Sequence, residues 1–354
     1  MKILTIVGAR PQFVKAFVVS RELRKKHEEV LVHTGQHYDE NLSKIFFDEL
    51  EIPKPDHNLG IGSRSHGFQT AEMIRGIEDI AKNENPDIIN IYGDTNSTLS
   101  GAIVGSKLES IVAHVEAGLR SFNRDMPEEI NRVLTDHASD LLFAPSETAV
   151  NNLKNEGITK GVHLVGDVMF DAILWARDVA AKKSNIMDEL GLEKDGFILS
   201  TVHRAGNTDD RERLAGIMKG LSQAPLPVVL PIHPRTEKRL KEFNLYNNFI
   251  NKIRLVDPVS YLDFVKLLDM AKIVATDSGG IQKEAFSLDT PCITLRDETE
   301  WVETVRCGWN ILVGANTGKI TDALNTEWIL TEKKPIPYGD GNASKKIVEI
   351  LDNL

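Results

Sequence analysis

Short β-branched runs recur along this chain, and each gap between them holds an amphipathic helical stretch. That alternation constrains the fold more than any other feature. Candidate strands in the first half are Ile3–Val7, Val30–Thr34, Ile88–Tyr92, Ile111–Val115, Leu141–Phe143 and Val162–Val165. The second half offers Phe197–Val202, Val228–Ile232, Ile253–Leu255, Ile273–Ala275, Cys292–Leu295 and Ile311–Val313. Strands that alternate with helices pair in parallel and are covered on both faces. Twelve strands exceed one comfortable sheet, so the expected class is α/β with two doubly wound domains.

The break is expected between Gly166 and Gly196, where "VMFDAILWARDVAAKK" leads into polar "SNIMDELGLEKDG". The tail "YGDGNASKKIVEILDNL" reads as one more helix, set off by Pro335, Pro337 and two glycines. The expected domains are residues 1–168, joined by a helix at about 338–354, and residues 169–337. A length of 354 residues suits two or three domains. The net charge of -10 leaves no basic stripe for a general nucleic-acid binder. The 2 cysteines, Cys292 and Cys307, make no disulfide framework and fit a reducing compartment. The N-terminus "MKILTIVGAR" lacks a signal-peptide core, and no run approaches the ~20 apolar residues of a membrane helix. A cytoplasmic protein without membrane attachment is expected.

Ligands of open α/β sheets bind beyond the carboxyl ends of strands, and the unusual polar residues fall there repeatedly. In "ILTIVGARPQFVK" a strand ends at Gly8 and a helix starts near Pro11, where free N–H groups attract anions. Arg10 and Lys15 reinforce an anion site. "IINIYGDTNSTLSGA" puts Asp94 between a strand and a helix, where, taken alone, it reads as a helix cap. "SIVAHVEAGLR" does the same with Glu116, and Pro127 opens a helix whose first turn holds Glu128 and Glu129. Three loops thus deliver carboxylates toward one rim, as proton transfer requires.

The second half presents His203 and Arg204 in "FILSTVHRAGN", and His233 and Arg235 in "VVLPIHPRT". "IVATDSGGIQKEA" is the most specific stretch. Ser278, Gly279 and Gly280 let backbone N–H groups approach a phosphate at a helix start. Glu284 lies further along that helix, placed to accept hydrogen bonds from both hydroxyls of a ribose. Neither half carries GxGxxG after its first strand, nor a P-loop, which argues against nicotinamide and ordinary nucleoside-triphosphate chemistry. His33 and His37 span a glycine at a strand end and read as loop histidines, so neither a metal nor another cofactor is expected.

"GARPQFVK", "GDT", "HVEAGLR", "MPEEINR", "TVHR" and "TDSGGIQKEA" occur in the order seen in non-hydrolysing UDP-N-acetylglucosamine 2-epimerases, and the resemblance covers nearly the whole chain. It implies a GT-B-like fold: two Rossmann-like domains facing across a cleft, with a C-terminal helix crossing back to the first. It implies interconversion of UDP-GlcNAc and UDP-ManNAc without nicotinamide or metal. A base removes the proton on sugar carbon 2, UDP leaves carbon 1, and UDP returns to the glycal as a proton arrives on the opposite face. Carried over by motif, Asp94, Glu116 and Glu128 become acid, base and charge-stabilising candidates. Arg10, Lys15 and His203 engage the diphosphate or assist its departure, Ser278, Gly279 and Gly280 hold phosphate, and Glu284 takes the ribose. Arg204, His233 and Arg296 join the nucleotide-binding set, while Arg120, Arg124 and Arg132 balance and orient the acids. A homodimer is usual in the resembling family.

Two departures carry consequences. Where many bacterial members have an Arg within "ERPE", this chain reads "ETEWVE", with Trp301 there and Arg296 nearby. That variant also resembles epimerases of UDP-2,3-diacetamido uronic acids. Some bacterial members need UDP-GlcNAc as an activator; this chain keeps Gln36, His37 and Gln69 but has Asp39 and Phe68 where those relatives are polar or cationic. Weak or absent activation is expected. The competing readings are a GT-B glycosyltransferase and a catalytically silent UDP-sugar sensor.

Overall fold

The computed structural model describes residues 1–35, 54–62, 64–328 and 334–354; the Arg10 side chain, Gln36, His37 and Asp39 lie outside the described residues. The chain divides into two compact units, Met1–Ala172 with Ile336–Leu354, and Ile173–Pro335. The first holds a seven-stranded parallel sheet in the order β3-β2-β1-β4-β5-β6-β7. Its strands are β1 (Lys2–Val7), β2 (Glu28–His33), β3 (His57–Asn58), β4 (Ile88–Tyr92), β5 (Ile111–Val115), β6 (Leu141–Ala144) and β7 (Val162–Leu164). The second holds a six-stranded parallel sheet, β10-β9-β8-β11-β12-β13. These strands are β8 (Ile198–Thr201), β9 (Val228–Pro231), β10 (Arg254–Val256), β11 (Ile273–Thr276), β12 (Cys292–Thr294) and β13 (Asn310–Leu312).

The expected α/β class with two doubly wound sheets is therefore present. The central strands read as continuous apolar runs because helices cover both faces: Ile3, Leu4, Ile6 and Val7 are all fully buried. Met73, Ile77 and Ala81, spaced four apart on the helix His66–Glu84, pack with Leu4, Ile6, Ile89 and Ile91. The helix Asn96–Gly105 lies almost on the sheet, since a Cβ on Gly105 would stand 2.4 Å from Val112 Cγ2. β3 was not foreseen. Two polar residues at a sheet edge carry no periodicity to read.

The chain leaves the first unit within the helix Val168–Lys183, after Ala172. The tail helix Ala343–Leu351 belongs to the first unit. The Asp171 carboxylate accepts from Ala343 N (3.1 Å), Ser344 N (2.7 Å) and Ser344 Oγ (2.6 Å), capping that helix. At the other end Asp352 meets Lys26 at 2.5 Å and His27 at 2.8 Å.

In each sheet the winding reverses once, between β1 and β4 and between β8 and β11. Loops leaving those neighbouring strands diverge to opposite faces and open a crevice at their carboxyl ends. The loops concerned begin at Gly8, Gly93, Val202 and Asp277.

Candidate active site

At the first reversal, Gly8 follows β1 in a space that admits no side chain: a Cβ would lie 1.9 Å from Ser97 Oγ. Gln12 then ties two loops together. Its Oε1 accepts from Gly8 N (2.8 Å) and Ala9 N (3.0 Å), and its Nε2 donates to Tyr92 O (2.7 Å) and Thr98 Oγ1 (3.0 Å). One turn along the helix Arg10–Leu23, Lys15 Nζ stands 2.5 Å from Glu116 Oε2, and the two side chains are only 13% and 14% exposed.

Glu116 reaches that position through a left-handed backbone, φ 74°, at the end of β5. A side chain there costs roughly 1–2 kcal/mol, and strain of this kind collects at functional sites. Both Glu116 N and Ala117 N donate to Phe143 O at 3.1 Å, which fixes the turn. Burial disfavours the Lys15 ammonium, but the Glu116 carboxylate, with Asp94 and Asp167 further off, outweighs it and holds Lys15 above its ordinary range.

Asp94 is not a helix cap. Thr95 caps the helix Asn96–Gly105 by accepting from Thr98 N, leaving the Asp94 carboxylate to receive Arg132 Nη2 at 2.6 Å. Arg132 also donates to Glu129 Oε2 at 2.9 Å. Glu129 is buried and fully occupied, accepting as well from Ser121 N, Ser121 Oγ and Phe122 N, each at 2.9 Å. Burial pushes its carboxyl up, and these donors overcome that and bring it below the usual range. Glu128 lies exposed in the same first turn and makes no hydrogen bond or ion pair among the described residues.

The arginines correct one expectation. Arg132 does hold Asp94, but Arg120 touches none of the three candidate acids. It pairs with Asp136 at 2.7 Å and donates twice to Glu156, at 2.7 and 2.8 Å. Asp136 in turn meets His114 Nδ1 at 2.7 Å, and His114 Nε2 lies 2.8 Å from Gly93 O. This buried chain braces the Gly93–Asp94 turn from beneath.

At the second reversal the organiser is Asp277, a fully buried residue that sequence reasoning passed over. Its carboxylate accepts from His203 N (3.0 Å), Arg204 N (3.0 Å) and Asn207 Nδ2 (3.2 Å). An acid closing an otherwise apolar strand was the available signal. The His203 ring is 39% exposed and lies 5.8 Å from the His233 ring. Burial lowers the His203 pKa; Asp277 opposes that, while His233 and Arg204 add to it. His233 caps the helix Pro234–Glu242, its Nδ1 accepting from Arg235 N at 3.1 Å. Arg235 turns aside to Asp209 at 2.5 Å.

Ser278 caps the helix Gly279–Ser287 through a long 3.5 Å contact to Ile281 N. A Cβ on Gly279 would stand 3.3 Å from Glu300 Oε2 and 3.6 Å from Arg204 Nη2, so charged groups already crowd this turn. Arg296 is held by Glu300 at 3.0 Å. Glu284, partly buried, has its carboxyl pushed up to about 7 by burial, with Lys283 opposing. Its carboxylate has no hydrogen-bond partner among the described residues. No three His, Cys, Asp or Glu side chains among the described residues gather as a metal ion would need. No helix among them is long and apolar enough to cross a membrane.

The structure thus brings Lys15, Asp94, Glu116 and Arg132 together in the first unit, with Glu128 on the adjoining helix. In the second it brings together His203, Arg204, His233, Ser278, Gly279 and Arg296, with Glu284 along the helix. Comparison with known proteins shows the family and the fold. The family model described as UDP-N-acetylglucosamine 2-epimerase matches residues 21–352. A "UDP-N-acetylglucosamine 2-epimerase homolog" of Methanococcus maripaludis is 55% identical over 100% of both chains. The UDP-2,3-diacetamido-2,3-dideoxy-D-glucuronate 2-epimerase of Pseudomonas aeruginosa is 48% identical, again over 100% of both. The solved UDP-GlcNAc 2-epimerase of Methanocaldococcus jannaschii superimposes with a TM-score of 0.92 at 45% identity, covering 100% of each chain.

Proposed function

The chain belongs to the UDP-N-acetylglucosamine 2-epimerase family, and from that premise we propose how its residues divide the work of the reaction. The enzyme is an isomerase that interconverts UDP-GlcNAc and UDP-ManNAc at sugar carbon 2. A carboxylate takes the proton from carbon 2 while the bond from carbon 1 to the diphosphate breaks. The bonding pair leaves on UDP, and a double bond forms between carbons 1 and 2. The return step adds UDP to carbon 1 and a proton to the opposite face of carbon 2.

The observation that carries this reading is the convergence of Asp94 and Glu116 around Lys15 and Arg132. An ammonium and a guanidinium stand against two carboxylates, which are placed to accept a proton and to stabilise developing positive charge on the sugar. Glu128, in the first turn of its helix and without a partner among the described residues, is the third acid or base. The Gly279–Gly280 turn and Arg204 take the diphosphate, whose developing charge suits free N–H groups and cations. His203, its pKa lowered and its ring partly exposed, exchanges a proton with the departing phosphate. Glu284 accepts the ribose hydroxyls. A homodimer acting in the cytoplasm completes the reading.

The test is incubation with UDP-GlcNAc in deuterated water, followed by NMR, with UDP-2,3-diacetamido-2,3-dideoxy-glucuronate run in parallel. Conversion to UDP-ManNAc with deuterium at carbon 2 is expected. Inversion that keeps the original hydrogen would rule out the proton exchange proposed for these carboxylates.

A further inference from the structure

The two glycines that let a phosphate approach the start of the helix Gly279–Ser287 also leave the peptide between them, in the helix's first turn, less restrained than other residues would, because neither has a Cβ to restrict its backbone. A binding turn with that freedom must order itself each time an anion arrives, which weakens binding. One side chain restrains it further. The indole N–H of Trp301 donates to Gly279 O at 2.7 Å. The peptide is trans, so holding its carbonyl fixes the Gly280 N–H on the opposite edge, among the helix-terminal donors that have no intrahelical partner.

Trp301 is itself braced. Its backbone N donates to Thr299 Oγ1 at 3.1 Å, and Thr299 Oγ1 donates to Gln282 Oε1 at 2.5 Å. Its carbonyl accepts from Thr304 Oγ1 at 2.7 Å, and Lys283 Nζ sits 4.6 Å from the centre of its ring. Gln282 and Lys283 belong to the same helix as the turn, so the indole and the donors it orients form one rigid piece.

We propose that Trp301 is a positioning residue for the diphosphate, fixing the Gly279–Gly280 peptide through its indole N–H. The inference rests on assigning this turn to UDP, and it gives the non-cationic residue in "ETEWVE" a task that a cation at this position would perform by charge. An indole pre-organises donors without adding positive charge, so its effect grows with the number of phosphates on the ligand and is absent for uridine.

The experiment measures binding of UDP, UMP and uridine by calorimetry to the full-length wild type, to Trp301→Phe, and to protein carrying benzothienylalanine at 301. That analogue keeps the shape and ring face and deletes only the N–H. Both replacements are expected to weaken UDP by ~5–10-fold, the range for one lost hydrogen bond, with uridine unchanged. KM for the UDP-sugar rises while kcat changes little. Unchanged UDP affinity in the isostere overturns the proposal, and so does an equal loss for uridine and UDP, which would mark plain packing. If Trp301→Phe fails to fold, the isostere still decides. A wild type that binds no UDP would take down the reading of the site and this inference with it.

Discussion

Lys15 Nζ and Glu116 Oε2 stand 2.5 Å apart, with both side chains almost enclosed. The pair joins the first helix to the end of the fifth strand and rests on a left-handed glutamate. Removing one partner leaves a buried charge uncompensated, which costs more than the pair itself contributes. Lys15→Met should therefore destabilise by about 3 kcal/mol, whereas Lys15→Met with Glu116→Gln should recover most of that and remain inactive. Urea unfolding of the two variants checks this; equal stability losses would show that the charges are not coupled. Lys15 titrates above its ordinary 10.5, so its contribution is whole below that pH and lost only as pH rises beyond it.

Glu128 and Glu129 are neighbours with opposite fates. Glu129→Gln removes charge from a carboxylate that serves Ser121, Phe122 and Arg132, and a loss of about 1–3 kcal/mol in stability is expected. Glu128→Gln should leave stability within about 0.5 kcal/mol and lower kcat by at least about 100-fold. Thermal melts beside steady-state rates separate the two. A Glu128→Gln enzyme of normal kcat would strike that residue from the acid–base set.

Asp94→Asn keeps an acceptor for Arg132 but removes the charge beside Lys15. Turnover is expected to fall about 100-fold or more, with UDP affinity within a few-fold of wild type. Loss of UDP binding in step with kcat would instead place Asp94 on the nucleotide.

The Glu284 carboxyl is raised from 4.5 to about 7. The folded chain binds that proton more tightly than the unfolded chain, so the contribution to stability is whole below about pH 4.5 and lost as pH rises to about 7. Glu284→Gln should flatten the stability profile across that window and be relatively more stable at pH 8. Ribose hydroxyls need the ionised form, so UDP binding should release a proton near pH 6.5. Calorimetry in two buffers of different ionisation enthalpy measures it; identical heats would deny the carboxylate a place on the ribose.

Activation by UDP-GlcNAc should be weak or absent. Gln69, a residue kept from activated relatives, is buried and already accepts from Asn96 Nδ2 at 2.7 Å and donates to Gly62 O at 3.2 Å, while Phe68 beside it is 54% exposed. Gln36, His37 and Asp39 lie outside the described residues. Rates against UDP-ManNAc should be hyperbolic without added UDP-GlcNAc. A strict requirement for trace UDP-GlcNAc would overturn the expectation.

Twelve of the strands, their helical crossovers and the polar residues at their carboxyl ends were legible in the chain itself. Hydrophobic periodicity and turn chemistry are local, so Gly8, Gly93, Pro127 and the Ser278–Gly280 run announce where strands stop and helices begin. Partner choice is not local. That Thr95 rather than Asp94 caps its helix, that Glu129 is consumed while Glu128 stays open, and that Arg120 serves Asp136 instead of the candidate acids were decided by the folded structure. So were the role of Asp277 beneath His203 and the indole of Trp301 on Gly279. Each depends on which donors from distant parts of the chain arrive within about 3 Å, and burial then makes an unmet donor or charge too costly to leave. Packing selects among carboxylates and guanidiniums that the sequence presents as equals.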